Sequence, residues 1–257
     1  MISKQAYVHP GARLGKDVTL EPFAYLAEDV VIGEGTWIGP GAVVMDGARV
    51  GRECRIFPGA VISAIPQDMK FSGEYTIAEI GDFTTIRESA TVNRGTVAAG
   101  KTIVGNNCLL MAYSHVAHDC VVGNHCILVN SVALGGEVRM GDWAIMGGMS
   151  SAHQFTLVGA HAMIAAGTTL RKDVPPYILV GDSPVAYMGI NKIGLSRRGF
   201  SQGKIEEIHN IYRIIYQSKR NTSQSLAYIG ENFEPTPERD YILDFISGSE
   251  RGILRRK

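Results

Sequence analysis

The 257-residue sequence has no apolar run approaching the ~20 residues that cross a bilayer, and its opening stretch MISKQAYVHPGARLG lacks the apolar core of a secretory signal. A cytoplasmic protein with no stable membrane insertion is expected. Excess charge is also missing: Lys+Arg and Asp+Glu number 25 each, so no global basic field exists to hold a polyanion, and nucleic acid is not expected as a partner. Cysteine is scarce. Four thiols in so long a chain fit reduced side chains better than a disulfide framework. A Gly-x-Ser-x-Gly elbow is absent, which leaves a serine nucleophile without support. The 45% hydrophobic content suffices for one large packed domain, or for a domain with a smaller appendage.

What is present is a period of six. Steps of six from Ile2 meet Val8, Leu14, Leu20, Leu26, Ile32, Ile38, Val44, Val50, Ile56 and Ile62, and the frame resumes from Ile80 to Leu170. Of the 29 positions in that frame between 2 and 170, 25 are Ile, Val, Leu or Met, which chance does not produce. Self-similarity at this period predicts a parallel β-helix, in which no turn buries its own apolar face and stacked neighbours do so. Three hexads make one coil of eighteen residues. Strand alternation turns the frame residue i and position i+4 inward, and the latter holds small residues such as Ala42, Ala60 and Ala90. All four cysteines, Cys54, Cys108, Cys120 and Cys126, fall there, so they are read as small buried hydrophobes and not as metal ligands. Glycine recurs at i+1, as at Gly15, Gly33 and Gly105, where it is expected to let the chain bend at each corner.

Two segments break the frame, a Pro-, Gly- and charge-bearing loop at 64–79 and a Gly-rich one at 93–102. Loops on a rigid scaffold carry binding residues more often than the scaffold, which makes Gln67, Asp68 and Lys70 candidate ligand contacts. After Leu170, the run RKDVPPY reads as an extended segment leaving the solenoid. Ile205, Ile208, Tyr212 and Ile215 follow at helical spacing behind Ser201, and a second helix is expected behind Thr236 and Pro237. The predicted architecture is an all-β solenoid over 1–190 with an α-helical cap over 191–257.

The stretch YSHVAHDCVVGNHC, residues 113–126, concentrates the histidines. In the frame of Val116, His115 points outward, while His118 and Asp119 lie at a corner. Stacking by eighteen continues the His118 column through Gly136 to Gln154, with His153 beside it. An imidazole with a carboxylate beside it, a glycine N–H one coil on and a second exposed histidine two coils on has the makings of a general base, its orienter, an oxyanion donor and a substrate contact. Two rival readings stay open at this point. One is a set of exposed polar corner residues on a non-catalytic scaffold. Another is a zinc site on His115, His118 and His153, as in hexapeptide-repeat proteins that resemble carbonic anhydrases. The spacing H-x-x-H on a β-coil disfavours this within one chain, and no metal is expected.

The segments IPQDMKFSGE, IRESATVNRGT, SHVAHDCVVGNHCILVN, GGMSSAHQF, KDVPPY and GINKIGLSRRGFS, in this order along nearly the whole chain, resemble the UDP-N-acetylglucosamine O-acyltransferase family of hexapeptide-repeat acyltransferases. That resemblance implies a homotrimer of left-handed parallel β-helices with active sites in clefts between subunits. The reaction it implies moves a 3-hydroxyacyl chain from acyl carrier protein to the glucosamine 3-hydroxyl of UDP-N-acetylglucosamine. This is the first step of lipid A synthesis, and no cofactor is used beyond the carrier's phosphopantetheine thioester. By the same resemblance His118 is the catalytic base, Asp119 its orienter and Gly136 the oxyanion donor. Asp68, Lys70, His115, His153 and Gln154 match sugar-nucleotide or acyl contacts, Ala166 the limit on acyl length, and Asn191, Arg197 and Arg198 residues near the carrier's arm. Paired guanidiniums suit an acidic carrier with a phosphorylated arm. A related N-acyltransferase shares the solenoid but is expected to carry a domain before the repeats, which here begin at Ile2. Departures from the family pattern are Glu137, where a histidine often stands, and Ile193, where a glutamate does.

Overall fold

The computed structural model describes residues 1–181 and 183–255. Short parallel strands form three sheets, and the chain visits them in rotation. The first sheet runs from Tyr7–Val8 to Thr169–Leu170, the second from Arg13–Leu14 to Leu157–Val158, and the third from Thr19–Leu20 to Ala186–Ile190. As far as Thr169–Leu170 every third strand joins the same sheet, so the backbone of each coil donates and accepts along the axis and the sheets enclose one apolar interior. Leu20, Ile38, Ile62, Ile86, Leu110, Leu128 and Leu134 are buried there almost completely. Removal of each such side chain from water is worth about 1.5–3 kcal/mol.

All four cysteines are free and buried in this interior. The Sγ atoms of Cys54, Cys108 and Cys120 lie 3.1 Å from the carbonyls of Gly81, Gly123 and Gly135 in the neighbouring coil. The glycines at i+1 have a different role from the predicted one. Their φ angles are ordinary, and the left-handed residues sit instead at i+3, as at Asp17, Asn107, Asp119 and His125. A Cβ on Gly33 would lie 2.4 Å from the carbonyl carbon of Gly51. Close approach of adjacent coils, and not bending, demands glycine at these positions.

The frame interruptions are shorter than predicted because their ends pair into the sheets. Val61–Ala64 and Ile77–Ile80 are strands, as are Thr91–Asn93 and Lys101–Val104, which leaves excursions over 65–76 and 94–100. Ile62 pairs with Val92 and Ile80 with Val104, offsets of 30 and 24 residues in place of eighteen, so the insertions are twelve and six residues long. Multiples of six preserve the inward frame. Both excursions leave the first sheet and return to the second, so they emerge on one edge of the prism.

The segment after Leu170 does not leave the prism as predicted. Ile178–Gly181 pairs parallel with Met163–Ile164 and then antiparallel with Ala186–Ile190, because Val174 bridges to Val158 and keeps the extended chain in register. Helices α1 (Lys192–Arg197), α2 (Gln202–Gln217), α3 (Thr222–Asn232) and α4 (Pro237–Ser247) follow. Ser201 and Thr236 cap α2 and α4 as expected, and α2 buries Ile205, Ile208, Tyr212 and Ile215.

Candidate active site

His118 and Asp119 occupy the corner between His115–Val116 of the first sheet and Val121–Val122 of the second, the same edge from which both excursions emerge. Thr91 pairs with His115, so the 94–100 excursion belongs to the coil next to the histidine. Asp119 adopts the left-handed conformation the corner requires, one that aspartate tolerates better than most residues. Its carboxylate is wholly buried and is held on several sides. It accepts from the Thr96 amide at 2.9 Å, from the Thr96 hydroxyl at 2.6 Å and from the Ala99 amide at 3.3 Å, and its Oδ2 meets His118 Nδ1 at 2.9 Å. The acid beside the imidazole therefore reads as a hydrogen-bond acceptor for Nδ1–H, leaving Nε2 for chemistry.

On that other side, Asp68 reaches from the 65–76 excursion to within 4.0 Å of His118 Nε2. Lys70 and Gln67 are exposed on the same excursion, where the Lys70 amide donates to Asp68 at 2.9 Å. The coil arithmetic for the His118 column holds. The Glu137 amide donates to the His118 carbonyl and the Phe155 amide to that of Gly136, so residues 118, 136 and 154 stack. A Cβ on Gly136 would stand 2.6 Å from His118 Cε1 and Nε2, which shows how closely backbone and imidazole approach. The Gly136 amide N–H has no partner among the described residues.

His115 lies on the outer face of the first sheet, with Nδ1 2.7 Å from the Thr91 hydroxyl. Burial, and secondarily the neighbouring His118, lowers its pKa and favours a neutral ring. His153 and Gln154 are exposed on the same edge, and Arg251 of the C-terminal segment reaches His153 Nδ1 at 3.3 Å. The three histidines thus face different partners. Among the described residues no three His, Cys, Asp or Glu side chains converge as metal ligands.

The remaining predicted residues lie elsewhere on the chain. Ala166 is exposed at the corner between the third and first sheets. Asn191 caps α1, accepting from the Gly194 amide at 3.1 Å and donating to the His161 carbonyl at 3.0 Å. Arg197 lines an apolar cavity of about 540 Å³ on the third sheet with Ile145, Met163, Leu179 and Ile193. Arg198 covers the Trp143 ring at 5.3 Å, on the edge between the second and third sheets. There His125, Trp143, His161 and Tyr177 stack in a ladder, and burial with the Arg198 charge holds the His161 pKa down at about 4. Within one chain these residues are not brought to His118.

Sequence reasoning missed Thr96, Arg251, this ring ladder, and Thr102, whose hydroxyl accepts from the Asp119 amide at 2.8 Å. The spacing of His125, Trp143 and His161 by eighteen was a usable signal, whereas Thr96 meets Asp119 only because an excursion folds back.

A hexapeptide prism carrying a buried-carboxylate–histidine pair under two loops defines a hexapeptide-repeat acyltransferase, and comparison with known proteins agrees. The bacterial transferase hexapeptide model matches residues 29–64 and 101–136, and the model for domain 2 of UDP-N-acetylglucosamine O-acyltransferase matches residues 173–254. The chain is 46% identical over 255 residues, 99% of each chain, to the acyl-[acyl-carrier-protein]–UDP-N-acetylglucosamine O-acyltransferase of Thiobacillus denitrificans. It is also similar to the crystal structure of a UDP-N-acetylglucosamine acyltransferase from Bacteroides fragilis, with TM-score 0.98 and 53% identity over 99% of this chain and 100% of that one. A structure from Acinetobacter baumannii matches with TM-score 0.96 and 36% identity over 99% of both. The chain belongs to the acyl-[acyl-carrier-protein]–UDP-N-acetylglucosamine O-acyltransferase family.

Proposed function

We propose that the protein transfers a 3-hydroxyacyl group from acyl carrier protein to the glucosamine 3-hydroxyl of UDP-N-acetylglucosamine, the opening step of lipid A biosynthesis, in the cytoplasm. The observation that carries the mechanism is the His118–Asp119 pair at 2.9 Å beside the Gly136 amide. Asp119 accepts from Nδ1–H, so Nε2 takes the sugar hydroxyl proton as that oxygen attacks the thioester carbonyl. The oxyanion of the tetrahedral intermediate accepts from the Gly136 N–H. Collapse breaks the carbon–sulfur bond, and the imidazolium returns its proton to the departing thiolate. Asp68, Lys70, Gln67, His115, His153 and Gln154 contact the sugar nucleotide or acyl chain, and no metal or further cofactor takes part.

The coils wind left-handed and the active unit is a homotrimer. What supports the trimer is the division of the site residues, with His118 on one edge and Asn191, Arg197 and Arg198 beside another, together with the outward apolar row Leu109, Ile127, Ile145, Met163 and Leu179 on the third sheet. A neighbouring copy covers that row and brings the carrier-binding arginines, and the Ala166 corner, toward a cleft. The test is transfer of 3-hydroxyacyl groups of several lengths from acyl carrier protein to the UDP-sugar. His118→Ala should lower the rate by about 10²–10⁴ and Asp119→Ala by less, with assembly unchanged and exhaustive chelation without effect. Activity of His118→Ala within a few-fold of the parent would overturn the assignment, and a dependence on stoichiometric zinc would revive a metal site.

A further inference from the structure

Beyond α4 the chain returns to the prism, and one buried carboxyl residue fixes it there. Asp173 is 1% exposed. Its Oδ1 accepts from the Leu157 amide at 2.8 Å and its Oδ2 from the Ser249 hydroxyl at 2.6 Å. The Asp173 backbone donates to the Gly252 carbonyl and accepts from the Leu254 amide. With every polar group of Asp173 so engaged, residues 249–254 form a strap over the last coils. The strap residues Glu250 and Arg251 line a cavity of about 430 Å³ together with Arg139 and with Glu137, the residue after Gly136.

The strap delivers Arg251. Its Nε donates to the Arg171 carbonyl at 3.3 Å, which aims Nη2 at His153 Nδ1, also at 3.3 Å. The same Nδ1 lies 3.2 Å from the carbonyl of Gln154. These two contacts exclude one another. Bonding to the carbonyl requires a hydrogen on Nδ1, whereas a guanidinium, which only donates, requires the bare lone pair. With Arg251 in place the lone pair is used, and the ring hydrogen of neutral His153 resides on Nε2. Without it, the Gln154 carbonyl draws the hydrogen to Nδ1, and Nε2 becomes an acceptor.

We infer that Arg251 is a positioning residue that sets the His153 tautomer, so that His153 presents an Nε2–H donor to an acceptor oxygen of the sugar nucleotide, a phosphate or amide carbonyl oxygen. The inference rests on the reading of His153 as a substrate contact. Arg251→Met removes the guanidinium from a partly exposed side chain, and Arg251→Lys keeps a donor on a similar stem. Nitrogen-15 NMR of histidine-labelled protein, with His153→Ala assigning the resonance, should show the hydrogen on Nε2 in the parent and the lysine variant, and on Nδ1 in Arg251→Met. Titration with UDP-N-acetylglucosamine should give a Kd about tenfold weaker for Arg251→Met, with kcat within about threefold, and no added effect in the His153→Ala background. An unchanged tautomer, or a changed tautomer with unchanged Kd, overturns the inference. The tautomer is read without turnover, so failure of the acyl-transfer assignment would show separately, in the rate of the parent enzyme.

Discussion

Gly136→Ala separates the close approach of the Gly136 backbone to the imidazole from its role as oxyanion donor, because it keeps the amide N–H and adds only a methyl group. The added Cβ would stand 2.6 Å from His118 Cε1 and Nε2, and ordinary contact for such a carbon begins near 3.4 Å, so the imidazole must retreat by about 0.8 Å. Asp119 cannot follow. Its carboxylate is buried and tied to the Thr96 amide and hydroxyl, so retreat of the ring stretches the 2.9 Å His118–Asp119 bond. Misplacement of about 1 Å at a reacting centre can cost about 10²-fold in rate. The backbone at Gly136 has no left-handed φ, so alanine adds no conformational strain there. The expected outcome is a kcat for 3-hydroxyacyl transfer lower by about 10²-fold, with the thermal midpoint within a few degrees of the parent. A crystal structure of the variant should show the ring displaced. Turnover within twofold of the parent, with the ring displaced, would refute the reasoning that imidazole position governs the rate.

Thr96→Val deletes the 2.6 Å hydroxyl bond to Asp119 while keeping side-chain shape, and kcat should fall about tenfold, with Thr96→Ser restoring most of it; equal losses in both variants would point to packing instead. His161 is held at about 4, below the ~6.5 of an unfolded chain, so its neutral form is the folded one. Its contribution is therefore complete above pH 6.5 and is lost as pH falls toward 4. Urea midpoints measured across that window should fall less steeply for His161→Phe, which keeps a ring between Trp143 and Tyr177, and parallel curves would remove His161 from the account. At the exposed Ala166 corner, Ala166→Gly should shift preference toward longer 3-hydroxyacyl donors and Ala166→Met toward shorter ones, each buried methylene being worth about 0.8 kcal/mol until the groove ends. Competition between donors of different length checks this, and an unchanged ranking in all three proteins would refute it.

The sequence alone determined the solenoid, because a hexad repeat is a local statement: Val116 must face inward if Leu110 and Val122 do, and every corner residue follows by counting. Counting also stacked His118, Gly136 and Gln154, placed all four cysteines in the interior, and located two interruptions whose lengths, as multiples of six, leave the frame intact. It misjudged the i+1 glycines and the segment after Leu170, since both depend on how closely adjacent coils approach, which no single hexad records. Only the tertiary structure decided what the interruptions do. Asp68 and Thr96 are 50 and 22 residues from His118 in sequence, and they reach the His118–Asp119 pair because both excursions emerge on one edge and fold over it. Arg251, at the far end of the chain, meets His153 through a strap pinned by a buried aspartate. A repeat fixes what stacks on what along the axis. Contacts made across an edge, by segments outside the repeat, obey no period and exist only once the chain has folded.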